Sequence, residues 1–335
     1  MEHVQCDFCG EDDTLLVFQA TDTNYHFGGT FNVVRCKRCD LVYLTPRPDE
    51  KTISRYYPEA DYVCYKVEQE SFGLDQNHPF LRMMTKVGID KGHLCDVGAG
   101  IGDFLVAAQG SGWKVVGVEV NDYARKRSNE RLGEEVVFPT LEEAKFPSHS
   151  FDAVTLWNVL CVLPSPARAL AEIHRILKMG GVLAVAAPNF DSLERRIWGA
   201  NWITVDAPRT LFHFTRNTLV RAVERHGFEV LGVFQEPGAD SLSANLLRTL
   251  RTRLLDPRSK QDGPRDPHIT PTQIQHPKRH DAHFKVADQT KDRVRSVSMR
   301  VLHPLAWAFA KAGYGKGLTL YARKVDRAQK FSEAA

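Results

Sequence analysis

Three closely spaced glycines, preceded by an aspartate, are the residues of this 335-residue chain whose spacing says most about chemistry. In residues 94–103 an apolar run carries Asp96 near its end and then has glycine at three alternate positions, Gly98, Gly100 and Gly102. Glycine tolerates unusual backbone angles and lets a ligand approach the main chain closely. A helix that starts directly afterwards directs free N–H groups and a positive dipole end at that ligand. The run therefore predicts a loop that holds a nucleotide-like cofactor.

An acidic residue follows at the end of the next predicted strand. Residues 114–120 are mostly apolar and carry Glu119, roughly 20 residues beyond the glycines, where a carboxylate accepts hydrogen bonds from ribose hydroxyls. Proteins that bind NAD share this acid, but their fingerprint is G-x-G-x-x-G. Here Asp103 stands where the third fingerprint glycine would be. The pattern supports an adenosine site without the dinucleotide fingerprint.

The elements that must position these residues alternate between strands and helices. Ser165-Pro166 marks a helix start, which predicts a helix to about Leu177, stopped by Gly180-Gly181. A second capped helix is predicted over 215–226, before Gly227. The further predicted strands are 151–158, 182–187, 229–234 and 318–322.

This order of motifs resembles class I S-adenosylmethionine-dependent methyltransferases, over roughly residues 92–234 and again at 317–324. The resemblance implies an α/β fold with a Rossmann-like seven-stranded sheet, whose last two strands form an antiparallel hairpin at its edge. It also implies S-adenosylmethionine as cofactor. The cofactor-binding residues that it implies are Asp96, Gly98, Ala99, Gly100, Gly102, Glu119, Val120, Leu141, Trp157 and Asn158.

Four of the seven cysteines form two pairs, Cys6-x-x-Cys9 and Cys36-x-x-Cys39. In a reducing compartment such pairs are typical of a zinc site, because Zn²⁺ prefers four thiolate or imidazole ligands in a tetrahedron. We predict a zinc ribbon over residues 1–45. Its Zn²⁺ is expected to be structural, since four protein ligands leave no open coordination position. The other cysteines, Cys64, Cys95 and Cys161, are predicted to be small buried residues.

The ribbon together with the later motifs narrows the resemblance to a bacterial group of class I methyltransferases with an N-terminal zinc ribbon. The supporting runs are C-K-R-C-D-L-V-Y-L-T-P-R-P, Y-Y-P-E-A-D-Y and W-G-A-N-W. Members of this group are often linked to sugars, lipid-linked glycans and secondary metabolites. The chain departs from the group at Cys161-Val162, where relatives often have Glu-His, and at Thr210, where they often have His.

Methyl transfer is an in-line displacement, in which the enzyme mainly aligns the acceptor with the methyl group. A hydroxyl acceptor needs a general base, whereas a neutral amine does not. His213 is the predicted base, in a loop expected to border the acceptor, because histidine titrates near neutral pH. Asp206 is a weaker candidate. Five aromatic residues have two open interpretations, namely contact with the cofactor or acceptor, and simple packing. They are Tyr56, Tyr57, Tyr62, Trp198 and Trp202.

The remaining sequence predicts a connecting segment over 46–90, a methyltransferase domain over 91–240 plus 313–325, and a helical insertion over 241–312 with a disordered loop at 256–292. Across 241–300, Lys and Arg outnumber Asp and Glu, 13 to 6. This excess indicates either contact with an anionic surface or phosphate-bearing substrate, or a solvated loop between helices that pack on the core.

Composition limits the other functions. The formal net charge of +3 is too small to argue for nucleic acid. No apolar run approaches the ~18–20 residues of a membrane span, and the N-terminus lacks signal-peptide features, so we expect a cytoplasmic protein. We expect a small-molecule or glycan substrate. The alternatives are an RNA methyltransferase whose ribbon binds nucleic acid, and a dehydrogenase-like binding module. Nothing in the sequence specifies an oligomeric state.

Overall fold

The computed structural model describes residues 1–25, 27–57, 78–238, 242, 245 and 303–326. The strands are β1 Thr14–Thr21, β2 Thr30–Cys36, β3 Val42–Leu44, β4 His93–Val97, β5 Lys114–Val118, β6 Val137–Phe138, β7 Phe151–Trp157, β8 Leu177–Pro188, β9 Phe212–His213, β10 Phe228–Glu236 and β11 Gly317–Lys324. The α-helices that lie wholly within the described residues are α1 Pro79–Lys86, α2 Asp103–Gly110, α3 Asp122–Leu132, α4 Leu141–Ala144, α5 Pro166–Ile176, α6 Leu193–Trp198 and α7 Arg216–Arg225. Single 3₁₀ turns occur at Ile53–Tyr56, Gly199–Asn201 and Ile203–Val205.

Seven strands form the large sheet, in the order β10-β11-β8-β7-β4-β5-β6. The five neighbouring strands β8, β7, β4, β5 and β6 run parallel to one another. Strand β11 runs antiparallel to both of its neighbours, β10 and β8. Residues 182–187 of β8 are all buried, as expected of a central strand covered on both faces. The sheet confirms the predicted Rossmann-like fold with an antiparallel hairpin at one edge.

Local signals place the helices that flank this sheet. Ser165 caps α5 by accepting a hydrogen bond from the Arg168 N–H, and Pro166 is its first residue. The helix ends at Ile176, before the predicted glycine stop, because β8 begins directly at Leu177. Helix α7 has the predicted start at Thr215, where Thr215 and Thr218 form a reciprocal capping box.

A second sheet has the order β1-β2-β3-β9. Its first three strands come from the predicted ribbon, whereas β9 comes from the far side of the methyltransferase region and pairs Val42 with His213. His213, predicted to lie in a loop, therefore lies in a short strand. The ribbon and the large sheet also share one hydrophobic core, in which Cys36 and Tyr43 pack with Phe212 and Phe214.

Polar contacts hold the ribbon against the helices of the large sheet. The Asp7 carboxylate accepts hydrogen bonds from the Ser165 hydroxyl and the Ala167 N–H, both 2.7 Å long, at the N-terminus of α5. The Arg221 guanidinium of α7 donates to the carbonyl oxygen of Cys39 at 2.7 Å. The ribbon is therefore docked on the domain through both helices.

The segments on either side of the catalytic region extend its core. Helix α1, within the predicted connecting segment, packs Phe80 and Met84 against the large sheet. Within the predicted insertion, residues 303–311 are helical and include Pro304. The side chain of buried Asn245 accepts a hydrogen bond from the Ile203 N–H and donates one to the Glu194 carboxylate. The rest of 241–302, including the predicted disordered loop, lies outside the described residues.

Among the described residues, no helix has both the length and the apolar character needed to cross a membrane.

Candidate functional site

The predicted cofactor loop leaves the carboxyl end of β4 and enters α2. Its three glycines all have positive φ, +77° at Gly98, +56° at Gly100 and +84° at Gly102. Gly102 directly precedes Asp103, the first residue of α2, whose carboxylate is ion-paired with Arg131 at 2.5 Å. In open α/β sheets, ligands bind beyond the carboxyl ends of the strands. The loop lies at that edge.

The three glycines serve different purposes. A Cβ at Gly98 would lie 2.2 Å from Val159 Cγ2, and one at Gly102 would lie 2.4 Å from Ser128 Oγ, so both allow tight packing within the protein. A Cβ at Gly100 would meet no atom of the described residues within 4 Å. The space beside Gly100 is therefore open, and it is the position at which a ligand can approach the main chain.

Glu119 follows β5 and holds the loop in place. Its Oε2 accepts a hydrogen bond from the Gly100 N–H at 2.8 Å, and its Oε1 accepts one from the Asn121 N–H at 2.8 Å. Asn121 in turn caps α3 through the Ala124 N–H. A buried carboxylate thus stands directly beside the open glycine, as an adenosine site requires.

Asp96 is the second buried carboxylate of the site. The Thr155 hydroxyl of β7 donates a 2.6 Å hydrogen bond to Asp96 Oδ1. Burial raises the pKa of Asp96 to about 7; the Thr155 hydrogen bond acts in the opposite direction, and the nearby Glu119 charge adds to the rise. The site can therefore place negative charge close to a cationic ligand.

The other predicted cofactor residues occupy different environments. Val120 is 75% exposed, whereas Ala99 and Leu141 are buried. Trp157 is half-buried, and its indole Nε1 has no hydrogen-bond partner among the described residues. Asn158 is exposed and has φ +62° at the end of β7. The Trp157 ring lies 5.1 Å from that of Phe104, in the first turn of α2, the helix that the glycine loop enters.

His213 is buried and neutral. Burial lowers its pKa to about 3, and the charge of Arg195 acts in the same direction. Its ring lies 5.2 Å from that of Phe190, and its Nε2 has no hydrogen-bond partner in the part of the chain that the structure describes. The expectation that His213 titrates near neutrality therefore does not hold in this environment, although a neutral imidazole remains able to accept a proton. The catalytic role stays a prediction.

The weaker candidates are engaged in packing. Both oxygens of Asp206 accept hydrogen bonds from buried Arg209, and Asn24 donates to Oδ1 at 2.6 Å. Trp202 is fully buried and donates to Glu194 at 3.2 Å, so it anchors its loop. Tyr56 packs edge-on against Phe31 of the ribbon. Tyr62 lies outside the described residues.

The four paired cysteines form one cluster. Their Sγ atoms all lie within 4.8 Å of one another, with Cys6 and Cys39 3.3 Å apart and Cys9 and Cys36 3.5 Å apart. Tetrahedral zinc with bonds of about 2.3 Å places its sulfurs roughly 3.8 Å apart, so the cluster fits that ion. Cys95 and Cys161 are buried outside this cluster, as predicted.

Two features of the site carry little or no local sequence signal. Thr155 is a polar residue inside an otherwise buried strand, and that contrast is the signal that could have identified it. The ion pair of Arg209 with Asp22 joins residues 187 positions apart, so no local pattern could have indicated it.

Comparison with known proteins identifies the catalytic part of the chain. Residues 75–233 match the family model described as a methyltransferase domain. This region, with its Rossmann-like sheet, is a class I S-adenosylmethionine-dependent methyltransferase domain.

Particular relatives are similar over part of the chain. A sterol 24-C-methyltransferase of Eremothecium gossypii is 33% identical over 125 residues, which cover 35% of this chain and 34% of that protein. A phosphatidylethanolamine N-methyltransferase of Cereibacter sphaeroides is 25% identical over 131 residues, which cover 37% of this chain and 64% of that protein. The structure of phosphoethanolamine N-methyltransferase 2 of Haemonchus contortus, in complex with S-adenosyl-L-methionine, is 18% identical, with a TM-score of 0.43 and coverage of 73% and 52%. The chain spans less than two thirds of each.

Proposed function

We propose that this protein transfers a methyl group from S-adenosylmethionine to a small-molecule, sugar or lipid-linked glycan acceptor. The observation that carries the proposal is the open space at Gly100, beside the buried carboxylate of Glu119 and in the loop that follows the buried Asp96. Such a space admits a ligand to the main chain, and the carboxylates suit its hydroxyl and cationic groups.

The residues of the chain bind and align rather than activate the methyl donor. S-Adenosylmethionine, when bound, supplies a methyl group already activated by a positive sulfur. The loop around Gly100 and the start of α2 would hold the cofactor, and Glu119 would accept hydrogen bonds from its ribose. Alignment of the acceptor with the methyl group then supplies most of the rate acceleration.

A base is needed where the acceptor is a hydroxyl. His213 remains the proposed base because, among the described residues, no partner occupies its Nε2. Its low pKa makes it a weaker base than a histidine that titrates near neutrality. With an amine acceptor, the same residue would only position the substrate.

The paired cysteines support a structural Zn²⁺ held by Cys6, Cys9, Cys36 and Cys39. Together with the docked ribbon, this site supports membership of the bacterial methyltransferase group with an N-terminal zinc ribbon. Four reduced thiols at zinc spacing also favour the cytoplasm. Contact between residues 241–312 and an anionic surface remains a proposal from charge alone.

The relatives' names favour a small or lipid-borne acceptor over RNA, since two of them are named for a sterol and a phospholipid. The decisive experiment is isothermal titration of the full chain with S-adenosylhomocysteine and, separately, with NAD. Micromolar binding of the former alone is expected, and the reverse preference would contradict the proposal. Labelled methyl transfer to sugar, lipid or RNA fractions would then identify the acceptor, and salt-dependent transfer to RNA would favour the alternative.

A further inference from the structure

Thr155 and Asp96 are neighbours on adjacent parallel strands at the carboxyl edge of the large sheet. They are register partners across β7 and β4, and both side chains are buried. Asp96 is the next-to-last residue of β4, so its carboxyl group lies directly before the glycine loop. Thr155 therefore lies beside Asp96 on the neighbouring strand, within hydrogen-bond distance of its carboxyl group.

The two carboxylates of the site are held in different ways. Both oxygens of Glu119 accept backbone hydrogen bonds, from Gly100 and Asn121. Asp96 receives its 2.6 Å hydrogen bond from Thr155 at Oδ1, and among the described residues no donor reaches Oδ2. Because an ionised carboxyl group strongly favours further donors when buried, Oδ2 is suited to a charged ligand group.

The cationic groups of S-adenosylmethionine lie in its amino-acid and sulfonium portion, whereas its ribose offers neutral hydroxyls. Glu119 is the expected ribose partner. We propose, resting on the function proposed above, that Thr155 is a positioning residue whose hydroxyl holds the Asp96 carboxylate ionised and aimed at the ammonium group of the cofactor's amino-acid end. Cofactor binding then depends on pH near neutrality.

The surroundings of Asp96 fix the sign of this dependence. Burial raises the pKa of Asp96 to about 7 and Glu119 adds to the rise, while the Thr155 hydrogen bond opposes it. Protonation on going below pH 7 removes the negative charge that the cation meets, so affinity falls with pH. Other groups on the adjoining elements include Cys95, whose pKa is raised well above its usual range by burial, and the ion pairs Asp103–Arg131 and Asp122–Arg125. Three further groups, His93, Lys114 and Asp152, lie at the opposite ends of their strands.

The test measures the affinity of the full chain for S-adenosylhomocysteine, which keeps the amino-acid end, by titration calorimetry between pH 6 and 8.5. Wild-type affinity is expected to fall roughly tenfold from pH 8 to 6. Thr155→Val lacks the hydroxyl and is expected to bind about tenfold more weakly at pH 7, with the gap narrowing at pH 8.5. Thr155→Ser keeps the hydroxyl and should bind like wild type.

A second ligand distinguishes a positioning role of Thr155 from general damage to the fold in Thr155→Val. 5′-Methylthioadenosine keeps the adenosine but lacks the amino-acid end, so Thr155→Val should bind it with wild-type affinity. The inference is overturned if Thr155→Val matches wild type for S-adenosylhomocysteine, if its loss is equal at every pH, or if it loses both ligands alike. A wild-type chain that binds neither ligand would instead refute the proposed function.

Discussion

Arg209 and Asp22 form an ion pair with both side chains fully withdrawn from solvent, and the Nη2–Oδ1 distance is 2.6 Å. The guanidinium also bonds to Asp206 and to the carbonyl oxygen of Tyr56, and it stacks 4.5 Å from the ring centre of Tyr25. Asp22 belongs to the ribbon, whereas Arg209 precedes β9. The pair therefore joins the ribbon loop to the segment that carries His213.

Removing one partner of this pair should be costly. Arg209→Met leaves the Asp22 carboxylate buried without its cation, and we expect a loss of about 3–5 kcal/mol in the free energy of unfolding, measured by urea denaturation. The double variant with Asp22→Asn should lose less than the sum of the single variants. Additive losses would show that the two side chains do not interact energetically.

Glu119→Ala should weaken S-adenosylhomocysteine binding about ten- to a hundredfold, or ~1.5–3 kcal/mol, in titration calorimetry. The change removes the expected ribose acceptor and also frees the Gly100 N–H that orders the loop. Glu142→Ala, an exposed acid on α4, serves as the control and should leave affinity unchanged. Equal affinity in both variants would remove Glu119 from the site.

Gly100→Val should abolish cofactor binding by filling the open space beside the loop. Gly133→Val is a matched control, because Gly133 also has positive φ and open space around its Cβ position but ends α3 away from the loop. Both variants carry similar backbone strain, so a difference in calorimetric affinity reports on the site alone. Intact binding by Gly100→Val would place the cofactor elsewhere.

Elemental analysis should find one zinc per chain. Cys36→Ser should lose the metal and expose residues 1–45 to proteolysis, because ligation and folding are coupled in small zinc modules. Cys161→Ser, which changes a buried cysteine outside the cluster, should keep its zinc. A metal-free wild-type protein with a protease-resistant ribbon would contradict the zinc assignment.

The buried His213 should make the protein sensitive to mild acid. Its pKa is about 3 when folded, against about 6.5 in an unfolded chain, so between these values the unfolded state binds a proton that the native state does not. Stability should fall as pH drops below about 6.5, by roughly 1.4 kcal/mol per pH unit from this residue. His213→Gln should reduce that slope, whatever its stability at pH 7.5. An unchanged slope in urea denaturation series from pH 7.5 to 5 would indicate that His213 becomes charged in the fold.

Short-range patterns predicted most of the large sheet. The glycine run, the caps at Ser165 and Thr215, and the buried run in β8 each depend on residues a few positions apart, so their structure followed from their types. The cysteine spacing likewise predicted the Sγ cluster.

Contacts between distant segments could not be predicted in this way. His213 was expected in a loop because two residues carry too little pattern for a strand, and its pairing depends on Val42 of the ribbon. Its low pKa depends on burial by those same distant elements. Asp206 looked like an acid near the acceptor, but Arg209 and Asn24 occupy its oxygens.

The pairing of β3 with β9 has a consequence for how the protein is made. Val42 and His213 are separated by about 170 residues, and contacts across such distances form late because the intervening loop must first be closed. During synthesis the ribbon leaves the ribosome long before its last strand partner exists. The β3 edge of the N-terminal sheet therefore stays unpaired until most of the catalytic region has been synthesised. A truncation before residue 212 would leave that edge permanently exposed to other chains.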